Sequence, residues 1–112
     1  MIESTLAEPS ARAVQRFKAL GDPTRLHILH VLAAGTRCAC EVQGQVDVAA
    51  NLLSHHLKVL REAGLIRGAR RGRWIDYELD PDGLAAVCAA LPKPAAGRIE
   101  ASCACDRREV DA

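Results

Sequence analysis

Apolar positions recur at helical spacing along most of this chain and alternate in only one stretch. Val14, Phe17 and Leu20 fall at three-residue steps, which predicts a first helix capped by Ser10 and closed by Gly21. Asp22-Pro23 then opens a second helix, with Asp as N-cap and Pro at the first helical position, and Leu26, Ile28, Leu29 and Leu32 carry it to Gly35. A short third helix is expected from about Cys40 to Val46, and a fourth from about Ala49 to Ala63, closed by Gly64. In the fourth, Leu53, Leu57 and Leu60 form one apolar stripe, while Asn51, Ser54, His55 and Lys58 fall on a polar face. The pattern then switches to a hairpin. Leu65-Ile66 begins one strand, Arg71-Gly72 turns it, and Ile75, Tyr77 and Leu79 alternate with Asp76 and Glu78 on the return. After Asp80-Pro81-Asp82-Gly83, the positions of Leu84, Val87, Cys88 and Leu91 predict a last short helix before Pro92 and Pro94. Residues 1–9 read as a flexible N-terminus, 10–92 as one folded domain and 93–112 as a polar tail.

Two helices, a short third, a fourth, a hairpin and a last helix predict a mainly α (α+β) fold. It is a winged helix-turn-helix with a two-stranded β-hairpin wing. In such a fold the second helix of the motif enters the DNA major groove and the hairpin reaches a neighbouring stretch of backbone. Asn51, Ser54 and His55 have short polar side chains suited to base edges or phosphates, and Lys58 suits a phosphate. Composition agrees with helices: 112 residues make one domain, and with only 3% aromatics the core must come from Leu, Val, Ile and Ala. The net charge of +1 gives no global basic field, yet Arg67, Arg70, Arg71 and Arg73 cluster with no acid between them. Arg70, Arg71 and Arg73, at the hairpin tip, would supply the salt-dependent part of DNA affinity. An ordinary solvated helix face and a hairpin kept soluble by arginine would explain either feature alone; their occurrence together and in this order favours DNA.

No apolar run is long enough to span a bilayer and no secretory signal opens the chain, so a soluble, cytoplasmic protein without a membrane partner is expected. An odd count of five cysteines then argues against a structural disulfide framework. Four of them form Cys-x-Cys pairs, Cys38/Cys40 and Cys103/Cys105, and Cys88 is expected to be a small core residue. A thiol enzyme would want Cys-x-x-Cys in an alternating strand-helix pattern, and this chain has neither, so no enzyme is expected.

The segments "FKALGDPTRLHIL", "CACEV", "LSHHLKVLREAGLI" and "RGRWIDYEL" occur in this order across roughly residues 12–91 and resemble the arsenic-repressor (ArsR) family of metal-sensing repressors. The resemblance implies a homodimer that binds an inverted-repeat, double-stranded operator and leaves it when a ligand binds. It also implies a dimer interface through the first and last helices, hence Val14, Phe17 and Leu20 with Leu84, Val87 and Leu91. Cys38 and Cys40 fall where the thiol-based sensors of the family carry a metal-binding pair. Arsenic sensors often have a further cysteine at the place of Gln43. Its absence makes Cys103 and Cys105 the expected source of the missing thiolates.

The implied inducer is arsenite or antimonite first, cadmium or lead next, with no organic cofactor. The alternative keeps the fold and makes the cysteines a thiol-redox or persulfide switch. On an ideal helix, side chains two residues apart point about 200° apart, so ligation by Cys38 and Cys40 is expected to unwind their turn. The family's other site, on the last helix, needs a histidine that this helix lacks. His27 and His30 are three apart and could chelate, but lone helical histidines are usually solvated or satisfied in the core, and His56 reads as structural.

Overall fold

A computed structural model of the chain describes residues 10–95. In chain order these form α1 (Ala11–Leu20), α2 (Pro23–Ala33), β1 (Arg37–Cys38), α3 (Ala39–Gln45), α4 (Ala50–Glu62), β2 (Ile66–Arg71), β3 (Trp74–Leu79) and α5 (Pro81–Ala90). The expected segments 1–9 and most of 93–112, with Cys103 and Cys105, lie outside the described residues.

Local chemistry sets the helix ends. The Ser10 side chain accepts the Ala13 N–H, Asp22 accepts that of Arg25, and Asp80 accepts those of Asp82 and Gly83; Pro23 and Pro81 each sit in the first helical turn. At the end of α4, Gly64 takes φ +78°. The Gly64 N–H donates to Arg61 O at 2.9 Å and the Leu65 N–H to Leu60 O at 3.0 Å, the paired bonds of a Schellman close. Two cations reinforce it: Arg12 donates to Glu62 O at 2.6 Å and Arg16 to Ala63 O at 3.2 Å.

The core lies between α2, α3, α4 and the sheet. Ile28, Val42, Leu60, Leu65 and Ile66 are its fully buried side chains, and Leu53, Leu57 and Leu60 pack inward as one stripe, as expected. Leu26 departs from expectation. It is 43% exposed, because the buried face of α2 runs through Ile28, Leu29, Val31 and Leu32 and Leu26 sits on the far side. Cys88 also departs: it is exposed rather than core. The inner face of α5 consists of buried Gly83 with half-buried Leu84 and Val87, and Cys88 is turned off that face.

The wing is larger than a hairpin. β1 adds to it, giving a three-stranded antiparallel sheet of order β1-β3-β2, with Arg37 opposite Tyr77 and Cys38 opposite Asp76. The turn is Gly72-Arg73, one residue later than expected, since Arg71 still pairs with Trp74. Gly72 has φ +62°, and a positive φ at the first turn residue suits a two-residue hairpin.

Candidate nucleic-acid interface and thiol site

Helix α4 presents Asn51, Ser54, His55 and Lys58 to solvent at steps of three, one and three residues, so they share one exposed side while the leucine stripe is buried behind them. Neighbouring His56 is half-buried and turned away from that side. Its Nδ1 lies 3.1 Å from Arg25 Nη1, and because arginine can only donate, Nδ1 accepts. Arg25 also donates to Ala19 O at 2.7 Å, so it locks the end of α1 to the middle of α4. Sequence reasoning missed this role, although Arg25 sits inside the conspicuous "GDPTRL" segment.

At the wing tip Arg70, Arg71 and Arg73 are all exposed, yet they are not equivalent. Arg71 makes two bonds to the Asp76 carboxylate, at 2.7 and 3.1 Å, across the β2–β3 diagonal. This pairing holds Asp76 below the usual carboxylate range and raises Arg71 further. Arg67 is likewise paired with Glu78 at 2.8 Å. Arg70 contacts only the Gly72 carbonyl, at 3.4 Å, and Arg73 makes no ion pair among the described residues. Among the described residues, Arg70 and Arg73 are therefore the tip arginines without a carboxylate partner.

The thiol pair sits behind this surface, at the joint between β1 and α3. Cys38 is buried, ends β1, and serves as N-cap of α3 with extended backbone (φ −80°, ψ 167°), its N–H bonded to Glu41 Oε1 at 2.9 Å. Cys40 is exposed in the first turn of α3. Because the pair spans a strand end and a helix start, the two sulfurs already meet, 2.7 Å apart. The expectation that a regular helix keeps them about 200° apart is thus corrected. Their mutual hydrogen bond, with a smaller contribution from burial, pushes the Cys40 thiol above its ordinary pKa. Cys-x-x-Glu, the capping-box spacing with Cys in place of Ser, was the sequence signal for this extended Cys38.

The structure brings no third ligand to the pair: among the described residues there is no group of three or more His, Cys, Asp and Glu suited to a metal ion. Where the resemblance would place a third cysteine, Gln43 donates instead to Val48 O at 3.2 Å and steadies the α3–α4 turn. His27 and His30 are both exposed on α2. A groove of about 350 Å³ starts beside Cys40 and runs between α4 and the wing, with Gln43, Leu53, Ser54, Trp74 and Tyr77 among its walls. Sequence reasoning missed this groove, because its walls come from three separate elements. No helix of the described residues is long and apolar enough to cross a membrane.

Comparison with known proteins decides the family. Residues 22–67 match the family model described as bacterial regulatory protein, arsR family. The arsenical resistance operon repressor of Escherichia coli (strain K12) is 34% identical over 100 residues, covering 88% of this chain and 79% of that protein. This chain belongs to the ArsR family. Its members are helix-turn-helix transcriptional regulators, not enzymes. A cadmium resistance transcriptional regulatory protein (a CadC homolog) of Staphylococcus aureus is 36% identical over 67 residues, covering 59% of this chain and 55% of that one. Among solved structures, the homodimeric winged helix-turn-helix DNA-binding domain from Mycobacterium bovis, a possible ArsR-family regulator, superposes with a TM-score of 0.63. It has 26% identity and covers 74% of this chain and 83% of that one. The winged helix-turn-helix expected from the element order is the observed fold.

Proposed function

We propose that this ArsR-family regulator is a cytoplasmic, homodimeric repressor that releases its operator when a thiophilic metalloid or metal ion binds Cys38 and Cys40. Arsenite or antimonite is the favoured inducer, cadmium or lead the next. The carrying observation is the meeting of the two sulfurs, 2.7 Å apart, at the joint between the wing sheet and the helix before α4. Soft thiolates select such ions, and Cys103 and Cys105 supply the further sulfurs that a trigonal or tetrahedral site needs. Relatives named for arsenical and cadmium resistance support the ion class. A dimer forms through Val14, Phe17 and Leu20 of α1 and Leu84, Val87 and Leu91 at α5. In one copy of the chain Val14 and Leu91 stand 37% and 51% exposed, and the other four are half-buried.

On DNA, α4 offers Asn51, Ser54, His55 and Lys58 to the major groove, and Arg70 and Arg73 contact flanking phosphates. Arg71 joins them only as far as Asp76 allows. An ion held by both sulfurs and by further thiolates fixes the pair in one geometry. Buried Cys38 is fixed to β3, so Cys40 and the first turn of α3 must yield, and the state that binds DNA becomes the weaker binder of the ion.

The test is fluorescence anisotropy on an operator duplex selected from a random-sequence library, with arsenite, antimonite, cadmium and lead titrated into the reduced protein. Wild type should release DNA, whereas Cys38→Ser should bind DNA equally well and stay bound; normal release by Cys38→Ser refutes the assignment. The same sulfur contact supports a second reading, a thiol-redox or persulfide switch. Release by peroxide or persulfide with indifference to every ion would establish it instead.

A further inference from the structure

We propose that the groove between α4 and the wing is a deoxyribose subsite: it seats sugars of one operator strand, with the indole of Trp74 packed on a sugar face. The inference rests on the DNA reading above and adds to it a contact that carries no charge. With α4 in the major groove and the wing on the neighbouring backbone, the strand that borders the groove has to pass between the two elements. In this protein the space between them is an open groove of about 350 Å³.

The walls of the groove fit a sugar–phosphate chain. Leu53, Ile75 and Tyr77 give it an apolar floor, with Leu53 and Tyr77 buried and Ile75 half-buried. A phosphate gains nothing from such a floor, whereas the carbon face of a deoxyribose does. Donors for phosphate line the same groove, the Ser54 hydroxyl from α4 and the Arg73 guanidinium from the wing, and no carboxylate lines it to repel the strand. The opposite side of the wing sheet differs. There Asp76 and Glu78 line the depression, on the face that alternation turns away from Ile75 and Tyr77. One side of the wing thus suits a polyanion better than the other. Trp74, the single tryptophan, lines the groove 51% exposed, and its backbone is fixed by pairing with Arg71 across the Gly72-Arg73 turn. It offers a broad, rigid apolar surface at a low cost in conformational entropy. A ribose seated there would press its 2′-hydroxyl, a polar group without a partner, against that surface.

The experiment is fluorescence anisotropy of the full-length protein on the selected operator duplex and on a set of duplexes with single deoxyribonucleotides replaced by ribonucleotides. Wild type, Trp74→Ala and Arg73→Ala are compared over a range of salt concentrations. Trp74→Ala should weaken operator binding several-fold with the slope of log K against log salt unchanged, because an apolar contact releases no counterions. Arg73→Ala should flatten that slope. Ribonucleotides at a few contiguous positions in each half-site should weaken wild type several-fold and leave Trp74→Ala indifferent. A scan that is flat in wild type overturns the sugar assignment. So does a Trp74→Ala loss that comes with a flattened slope, since Trp74 would then act only by placing Arg73. Failure of the DNA reading looks different, and overturns both: wild type would then select no duplex from the random-sequence library.

Discussion

Replacing Gly83 by Ala tests the packing of α5 on the junction between α4 and β2. A Cβ built on Gly83 overlaps Gly64 O and lies 2.8 Å from Gly64 C and 3.4 Å from Leu65 Cα. These atoms are backbone, so no side chain can swing aside. The joint is also held by the Asp80 N–H, which donates to Leu65 O at 2.9 Å, while Asp80 Oδ1 caps α5 by accepting the Gly83 N–H at 3.3 Å. Relief therefore requires α5 to lift, loosening Leu84 and Val87. Overpacking of this kind costs about 1–3 kcal/mol, and a backbone overlap belongs at the upper end. Better helix propensity returns at most about 1 kcal/mol, leaving a net loss near 2 kcal/mol. For a domain of this size that lowers Tm by roughly 10 °C. Gly44 of α3 is the internal control. A Cβ there meets nothing within 4 Å, so Gly44→Ala should gain about 0.5–1 kcal/mol from propensity alone. Circular dichroism melts at one fixed protein concentration read both, because dimerisation makes Tm concentration-dependent. A Gly83→Ala protein that melts at or above wild type refutes the packing argument.

Asp22→Ala removes the N-cap of α2 and should cost about 1 kcal/mol at neutral pH. The Arg25 backbone N–H holds the Asp22 carboxyl below its ordinary value of 3.8, so the contribution is full above that value and vanishes as pH falls through the lower folded one. The Tm gap between Asp22→Ala and wild type should accordingly close in strong acid; a gap unchanged from pH 7 to below 3 contradicts this linkage. Arg73→Ala should flatten the dependence of log K on log salt by about 0.9 for each phosphate that Arg73 neutralises, so by about 2 in a dimer. Arg71→Ala should flatten it less, because Asp76 already engages that guanidinium. Equal slopes for the two variants would show that the Arg71–Asp76 pair opens on DNA.

The helix ends were legible because their determinants are local. Ser10, Asp22-Pro23 and Gly64 each act on backbone groups within a few residues, and the Leu53, Leu57, Leu60 stripe reports its own burial. Asp80-Pro81-Asp82-Gly83 reads as a break, yet Asp80 caps the last helix, which starts at Pro81 rather than near Leu84. Strand β1 was not legible. Two residues cannot display alternation, and the partners of Arg37 and Cys38 are Tyr77 and Asp76, far along the chain. Without β1, the only local geometry to set the pair against is that of an ideal helix, on which the two sulfurs point apart. The inequality of the wing arginines was hidden for a related reason: Arg71 meets Asp76 only once the hairpin register is known, and that register places the turn at Gly72-Arg73. The exposure of Cys88 was hidden because a short alanine-rich helix looks apolar on every side.

On the function proposed above, the two-residue strand also gives a route by which a small site at this joint would govern DNA binding. Cys38 belongs to two rigid bodies at once. Its backbone pairs with β3 opposite Asp76, the residue that holds Arg71 at the wing, and its N–H is capped by Glu41 at the start of α3. Helix α3 in turn leads through the Gln43–Val48 bond into α4. A displacement between Cys38 and Cys40 therefore cannot be absorbed by one loop; it must be shared between the wing and α4. Coupling free energies of about 1–3 kcal/mol change affinity by roughly 5–150-fold. The proposed dimer, which would place two α4 helices and two wings together, would reach such values through small misplacements of each, since packed interfaces switch between arrangements rather than deform gradually. Asp76→Asn separates the routes. It weakens the wing's hold on Arg71 but leaves the α3–α4 path intact, so ion binding should persist while the ion-induced loss of operator affinity shrinks. Unchanged release would assign the coupling to α3 and α4 alone.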